Sequence, residues 1–189
     1  MTSPDHLLSL AEWDALSEDV ARHAELVEGV VLMAPRPAAL HQRAVLRLAV
    51  VVEAHLPSDA SALPDVSVLM SDGLTVRAPD LIVVPSDLAA ANPVRFDGSD
   101  VELAVEIVSP GTRRTDHVMK LAECAAAQIP HYWVLDLDPV VSITVHSAPR
   151  PDGTGYAETG TFTADQGTVT IGGPRETRIS LSLDGLTRR

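Results

Sequence analysis

Thirteen arginines and a single lysine make up the basic side chains of this sequence, and the lysine, Lys120, lies 14 residues after Glu106 and 40 after Asp80. Asp80 directly precedes the apolar run Leu81 to Val84, and Glu106 falls inside another, Val101 to Val108. An aspartate, a glutamate and a lysine gathered from such elements can hold a hard divalent cation and bring water against a phosphodiester. Ammonium is a compact, titratable point charge, whereas guanidinium is a wide planar fork that stays protonated. A chain that uses arginine everywhere else and lysine here has the pattern of a position arginine cannot fill. The plainer alternative is one lysine on a solvated helix, so the neighbours decide.

Those neighbours carry further chemistry. Carboxylates within apolar strands are costly to bury unless paired or bound to a cation. Strand alternation places Glu102, Ala104, Glu106 and Val108 on one face, with Glu102 near the wet start of the strand. Mg²⁺ suits Asp80 and Glu106, since it takes one or two carboxylates and keeps several waters; Mn²⁺ is its substitute. A turn cap for Asp80 and an ion pair with an arginine for Glu106 are the simpler readings of each residue alone. Glu25 flanks a turn at Glu28-Gly29 and is a candidate extra ligand or water-positioning group. His41, in the first turn of a helix, is a candidate for phosphate contact or for tuning the site. Thr112, Arg113, Arg114, His117 and Lys120 form the densest basic segment, and such charges near a helix start hold phosphate backbones. Asp116 and Lys120, four apart, could also form an ordinary helix ion pair. The remaining histidines show no paired ligand spacing.

The elements that must position these residues can be read from pattern. Ser9 to Glu12 is a capping box opening a short helix to about Leu16. Glu25 to Met33 reads as a tight hairpin ended by Pro35, and Ala38 to His55 as a helix whose apolar stripe is Leu40, Ala44, Leu48, Val51, Val52 and His55. Strands are expected at Val66 to Met70, Thr75 to Arg77, Leu81 to Val84 and Val101 to Val108, with a loop from Ser86 to Asp100. A turn at Ser109 to Thr112 leads into a helix from about Thr115 to Gln128. Strands follow at His131 to Leu137 and Val140 to His146, with more antiparallel strand in the Gly- and Thr-rich tail. This order predicts an α/β fold in one domain over 1–189, with a central mixed sheet flanked by helices and extra antiparallel strands at the C-terminus.

Composition narrows the function classes. Aromatics are only 3% of the chain, so the core is expected to be aliphatic. No apolar run reaches a membrane span, no basic n-region precedes an apolar stretch, and the lone Cys124 excludes an internal disulfide. The reading is a soluble, cytoplasmic protein that does not engage membrane. No Gly-rich phosphate loop, nucleophile elbow or CxxC motif is present, and no organic cofactor is expected. Net charge of −12 argues against a generic nucleic-acid coat. The acid is concentrated in the first 138 residues, which hold 21 acids against 9 bases.

The ordered set ELVEGVVLMAP, His41-Gln42 opening a helix, Ala78 to Val84, VEIVSPGTRRTDHVMK and IPHYWVLD resembles the Uma-type restriction endonuclease family, within the PD-(D/E)XK nuclease superfamily. The likeness spans about Leu10 to Val145. It implies a restriction-endonuclease-like core with a Mg²⁺ site, in which Asp80, Glu106 and the Ile107 carbonyl are the metal ligands. Glu25 matches the N-terminal acidic position and His41 the helix histidine. The superfamily lysine normally follows the second acid by two residues, where this chain has Val108, so the resemblance implies its migration to Lys120. Ala24, Cys124 and Gln128 also depart from the family's usual residues. The expected activity is Mg²⁺-dependent endonucleolytic hydrolysis of DNA by a homodimer, with Asp80, Glu106, Lys120 and Glu25 as catalytic residues. The alternative is a non-catalytic module of the same fold that binds partners.

Overall fold

The structure, a computed structural model, describes residues 6–34, 36–109 and 113–188. Ser9 caps α1 (Leu10–Asp14) through a reciprocal box with Glu12, as its sequence predicts, and α2 (Glu18–Ala21) follows. The hairpin is β1 (Ala24–Val27) and β2 (Val30–Met33), joined by Glu28 and Gly29, both with positive φ. Positive φ at both central residues twists a two-residue turn to match its strands. Gly29 is further required because a Cβ there would sit 2.9 Å from Leu7 Cβ and 3.0 Å from the Leu8 carbonyl.

The helix α3 (Ala39–Glu53) leads to β3 (Ala60–Leu63), β4 (Val68–Leu69), β5 (Val76–Arg77) and β6 (Leu81–Pro85). The stripe that α3 buries is Ala44, Val45, Leu48 and Val52, while Leu40 faces solvent. Where the sequence suggested only a loop, α4 (Ser86–Ala90) and β7 (Phe96–Asp97) form. Their composition is rich in turn formers, and local tertiary pairing overrides it. Next comes β8 (Leu103–Val108). The expected turn at Ser109 to Thr112 falls mostly on 110–112, and Pro35 likewise lies outside the described residues.

The expected helix at 115–128 opens as a π-helical turn, Thr115–Lys120, before becoming α5 (Leu121–Ala126). Then follow β9 (His131–Asp136), β10 (Ser142–Pro149), β11 (Tyr156–Thr163), β12 (Thr168–Gly172), β13 (Arg178–Ser182) and α6 (Leu183–Thr187). No helix among the described residues is long and apolar enough to cross a membrane.

The strands form three sheets rather than one. The central sheet runs β11-β10-β9-β8-β6-β3, and it is mixed because only β8 and β9 are parallel. A second sheet runs β2-β1-β5-β4-β7, and β12-β13 is a separate antiparallel ribbon. Alternation along the central strands divides the core. Leu81, Val83, Leu103, Val105, Ile107, Trp133 and Leu135 face α3, the ribbon and α6. Ile82, Val84, Ala104, Val108, Tyr132 and Val134 face Cys124, Ala125 and Ile129 on the other side. Burial on both faces explains why β8 is an unbroken apolar run interrupted only by Glu106.

Burial holds the pKa of His131 and of His146 below the ordinary histidine value, and His131 Nδ1 and His146 Nε2 are buried without hydrogen-bond partners. A histidine kept neutral by folding contributes stability above its unfolded pKa of about 6.5, and that stability is lost as pH falls toward the depressed folded value. Between about pH 7 and pH 5 these two histidines are therefore expected to lower the unfolding free energy, by at most about 1.4 kcal/mol per pH unit each. His131→Gln should flatten the curve measured by urea denaturation across that range.

Candidate active site

Glu106 points to the α5 face of the central sheet, and Asp80 stands immediately before the neighbouring strand β6. The β6–β8 register pairs Val83 with Leu103, Ile82 with Ala104 and Leu81 with Val105. Asp80 comes just before the last of these pairs, near enough to Glu106 for its charge to raise the Glu106 pKa. Asp80 Oδ2 is fixed by the Ile107 backbone N–H at 2.6 Å and lies 3.2 Å from His41 Nε2. The same His41 nitrogen donates to the Ile107 carbonyl at 3.0 Å. That carbonyl, the third ligand implied by the resemblance, is thus already one acceptor of a histidine clamp. His41 reaches the site from the first turn of α3, where a residue on the inner face of a docked helix overhangs the sheet edge.

Lys120 comes from above, at the end of the π turn. Its Nζ is 2.9 Å from Glu106 Oε2, 3.4 Å from Glu25 Oε1 and 3.7 Å from Asp116 Oδ1. Only 8% of the residue is exposed, so this is no solvated surface lysine. The π turn carries one extra residue per turn relative to an α-helix, which alters the direction in which its side chains leave the axis. Tyr132 steadies it from the sheet by donating its hydroxyl to the Asp116 carbonyl at 2.7 Å.

Glu25 belongs to the second sheet, not to the one carrying Glu106, and it is held tightly there. Its Oε2 accepts from Arg77 at 2.9 Å, and its Oε1 accepts the Ala78 N–H at 3.1 Å. Arg77 in turn donates two parallel bonds of 2.7 Å to Glu123 of α5. This fully buried guanidinium ties the second sheet to α5. Sequence reading passed over it, although a cation at the end of the strand Thr75 to Arg77 is the same signal that singled out Glu106.

Charge is out of balance in this region. Five carboxylates, from Glu25, Asp80, Glu106, Asp116 and Glu123, face two permanent cations, Arg77 and Lys120. Complete burial pushes the Glu106 carboxyl well above the usual range, with Asp80 and Asp116 adding to the effect and Lys120 opposing it. Burial also works against the Lys120 charge, but Glu106, Glu25 and Asp116 outweigh it and hold its pKa above normal. For this coupled pair the firm direction is a charged lysine, since three carboxylates converge on it. Glu25 is favoured as an anion: burial disfavours its charge, and Lys120 and Arg77 more than offset that. The hydrogen bond to Asp80 raises the pKa of His41 against the opposing effect of burial.

Among the described residues no cluster of three or more His, Cys, Asp or Glu side chains has the arrangement of a metal site. The donor set at Asp80 and Glu106 is smaller: two hard carboxylates that repel each other, with Asp80 Oδ1 outside the hydrogen bonds that fix Oδ2. Two carboxylates with a local excess of negative charge fit a divalent cation that keeps most of its waters.

The basic segment divides. Arg113 pairs with Asp136 at 2.7 Å and donates to the Asp138 carbonyl at 3.0 Å, and His117 lies 3.0 Å from the same carboxylate. Arg113 therefore staples the start of the helical segment to the end of β9, which competes with phosphate contact. Arg114 is exposed, and Thr112 lies outside the described residues.

A family described as "Uma2: Putative restriction endonuclease" matches residues 8–183. Among solved structures, a protein from Anabaena variabilis, described as a putative nuclease belonging to DUF820, is 20% identical and superposes with a TM-score of 0.72. The likeness covers 95% of this chain and 97% of that one. The shared architecture is restriction-endonuclease-like. No curated protein matches this chain at a significant level.

The Arg77 bridge carries its own expectation. Removing one partner of a buried ion pair strands the others, at a cost of about 3–5 kcal/mol. Arg77→Met is expected to lose about that much in urea denaturation, whereas Arg77→Met combined with Glu123→Gln should recover part of it.

Proposed function

The chain belongs to the Uma2 family, and we propose that it is a divalent-cation-dependent endonuclease that hydrolyses DNA phosphodiester bonds at the Asp80–Glu106–Lys120 site. The observation that carries this reading is the convergence of three carboxylates on one buried ammonium, beside a fourth, Asp80, at the start of the adjoining strand. Asp80 and Glu106 would hold Mg²⁺, or Mn²⁺ in its place. When bound, such an ion supplies a lowered pKa for water and neutralises charge on the phosphoryl oxygens.

The chain's own residues do the rest. Asp80 is pre-aimed by the Ile107 N–H and His41, so its free oxygen need not reorganise on binding. Lys120, held as ammonium, is suited to donate hydrogen bonds, to orient the water and to offset phosphate charge. Glu25 positions Lys120 from the side, and Arg77 fixes Glu25. His41, with its raised pKa, can carry positive charge toward an incoming phosphate. An excess of carboxylate around these groups means that DNA binds weakly until the cation is present.

The test is nicking of supercoiled plasmid by purified protein with Mg²⁺ or Mn²⁺, against a chelator control. Asp80→Asn should reduce the rate on the order of 100-fold or more, the scale of losing one preorganised electrostatic contact. Calorimetric titration should show its cation affinity lost while the fold persists. Inertness of the wild type with both metals would favour the non-catalytic module. Lys120→Arg is expected to be nearly as inactive as Lys120→Ala, because the planar fork does not fit between Glu106, Glu25 and Asp116. An active arginine variant would reduce Lys120 to a replaceable charge.

A further inference from the structure

The charged end of Lys120 is fixed by Glu106, Glu25 and Asp116, and its backbone is aimed by a separate set of contacts. Arg114, which precedes the π turn, makes no capping bond with its side chain. The helical segment is held instead from the sheet, by both tyrosines of the chain. Tyr132 of β9 donates its hydroxyl to the Asp116 carbonyl at 2.7 Å, and Tyr156 of β11 donates its own to the Ile129 carbonyl at 2.9 Å. One bond falls inside the π turn and the other just past the end of α5. The His146 ring of β10 joins the two tyrosines, its centroid 6.2 Å from that of Tyr132 and 5.9 Å from that of Tyr156. Both separations lie within the range of aromatic contact. His146 Nδ1 is 3.0 Å from Thr159 Oγ1 on β11, which anchors this ring in turn.

The bond to Asp116 falls where it can decide the register of the helix. In an α-helix the Asp116 carbonyl accepts the N–H four residues on, that of Lys120, whereas a π turn lengthens the step to five. A buried carbonyl already taken by a hydroxyl has less to gain from the tighter α step. We propose that Tyr132 is a positioning residue: its hydroxyl, steadied by His146 and Tyr156, holds the π register, and that register aims Lys120 at Glu106 and Glu25. A phenylalanine at 132 would fill the same core space, so packing alone does not call for the hydroxyl. Without it the turn is free to tighten, and Lys120 then leaves the axis in a different direction, away from its carboxylates. The benefit to catalysis rests on the nuclease reading; the aiming of Lys120 does not.

Because Lys120 is the chain's single lysine, protein grown on lysine carrying ¹³C and ¹⁵N gives one backbone amide signal and one Cε signal from that residue. In Tyr132→Phe, which keeps the aromatic ring, both signals are expected to shift or broaden, and His146→Ala should displace them as well. His146→Phe, which keeps a ring between the tyrosines, should leave them near their wild-type positions. A hydroxyl that only stabilises the fold would lower the unfolding midpoint of Tyr132→Phe and leave both signals in place, and that result overturns the proposal. Should Tyr132→Phe fail to fold, unmoved signals in His146→Ala would overturn it equally. With Mg²⁺ or Mn²⁺, Tyr132→Phe is expected to nick plasmid about 10–100-fold more slowly than wild type. The lysine signals are read without turnover, so an inert wild type would count against the nuclease reading alone.

Discussion

One buried ammonium with three carboxylates around it is the constraint on which the rest of this structure depends. Taking Lys120 out of water is unfavourable, and so is burying Glu106; each is tolerable only because of the other. Every element around them can be understood as holding that arrangement. The strand β8 presents Glu106, the π turn delivers Lys120, and β1 brings Glu25 from a different sheet. Arg77 then locks the three together through Glu25 and Glu123. The compensation is incomplete, since carboxylates outnumber permanent cations, and a residual negative charge stays at the site.

Much of this was legible in the sequence because the signals were local. The hairpin announced itself by Glu28-Gly29, β8 by its apolar run, and the α3 helix by its spacing. Asp80 and Glu106 stood out because carboxylates do not sit at or within apolar strands without a reason, and the strands that carry them are neighbours in the sheet. Lys120 stood out by rarity. Its charge state was not legible, because that is decided by Glu25 and Asp116, which arrive from separate elements.

What the sequence hid was non-local. Arg77 looked like the end of a short strand, and only the packing of the second sheet on α5 makes it a buried bridge. Arg113 read as a possible phosphate contact, and its pairing with Asp136, on a strand more than twenty residues later, could not be read from local sequence. The helix α4 and the strand β7 form from a segment rich in turn residues, where propensity points to loop and neighbouring strands decide otherwise. The division into separate sheets likewise depends on pairings between distant strands, which periodicity cannot report.

The seating of Lys120 on a helical segment, apart from the strand that holds its acids, also bears on how the chain folds. A central sheet formed without that segment would hold Glu106 buried near Asp80 without the ammonium that pairs with it. The missing ammonium makes such a half-built state electrostatically unfavourable, and docking of the helix removes the penalty at one stroke. The same charges that equip the site thereby discourage partly assembled states and couple completion of the core to completion of the site.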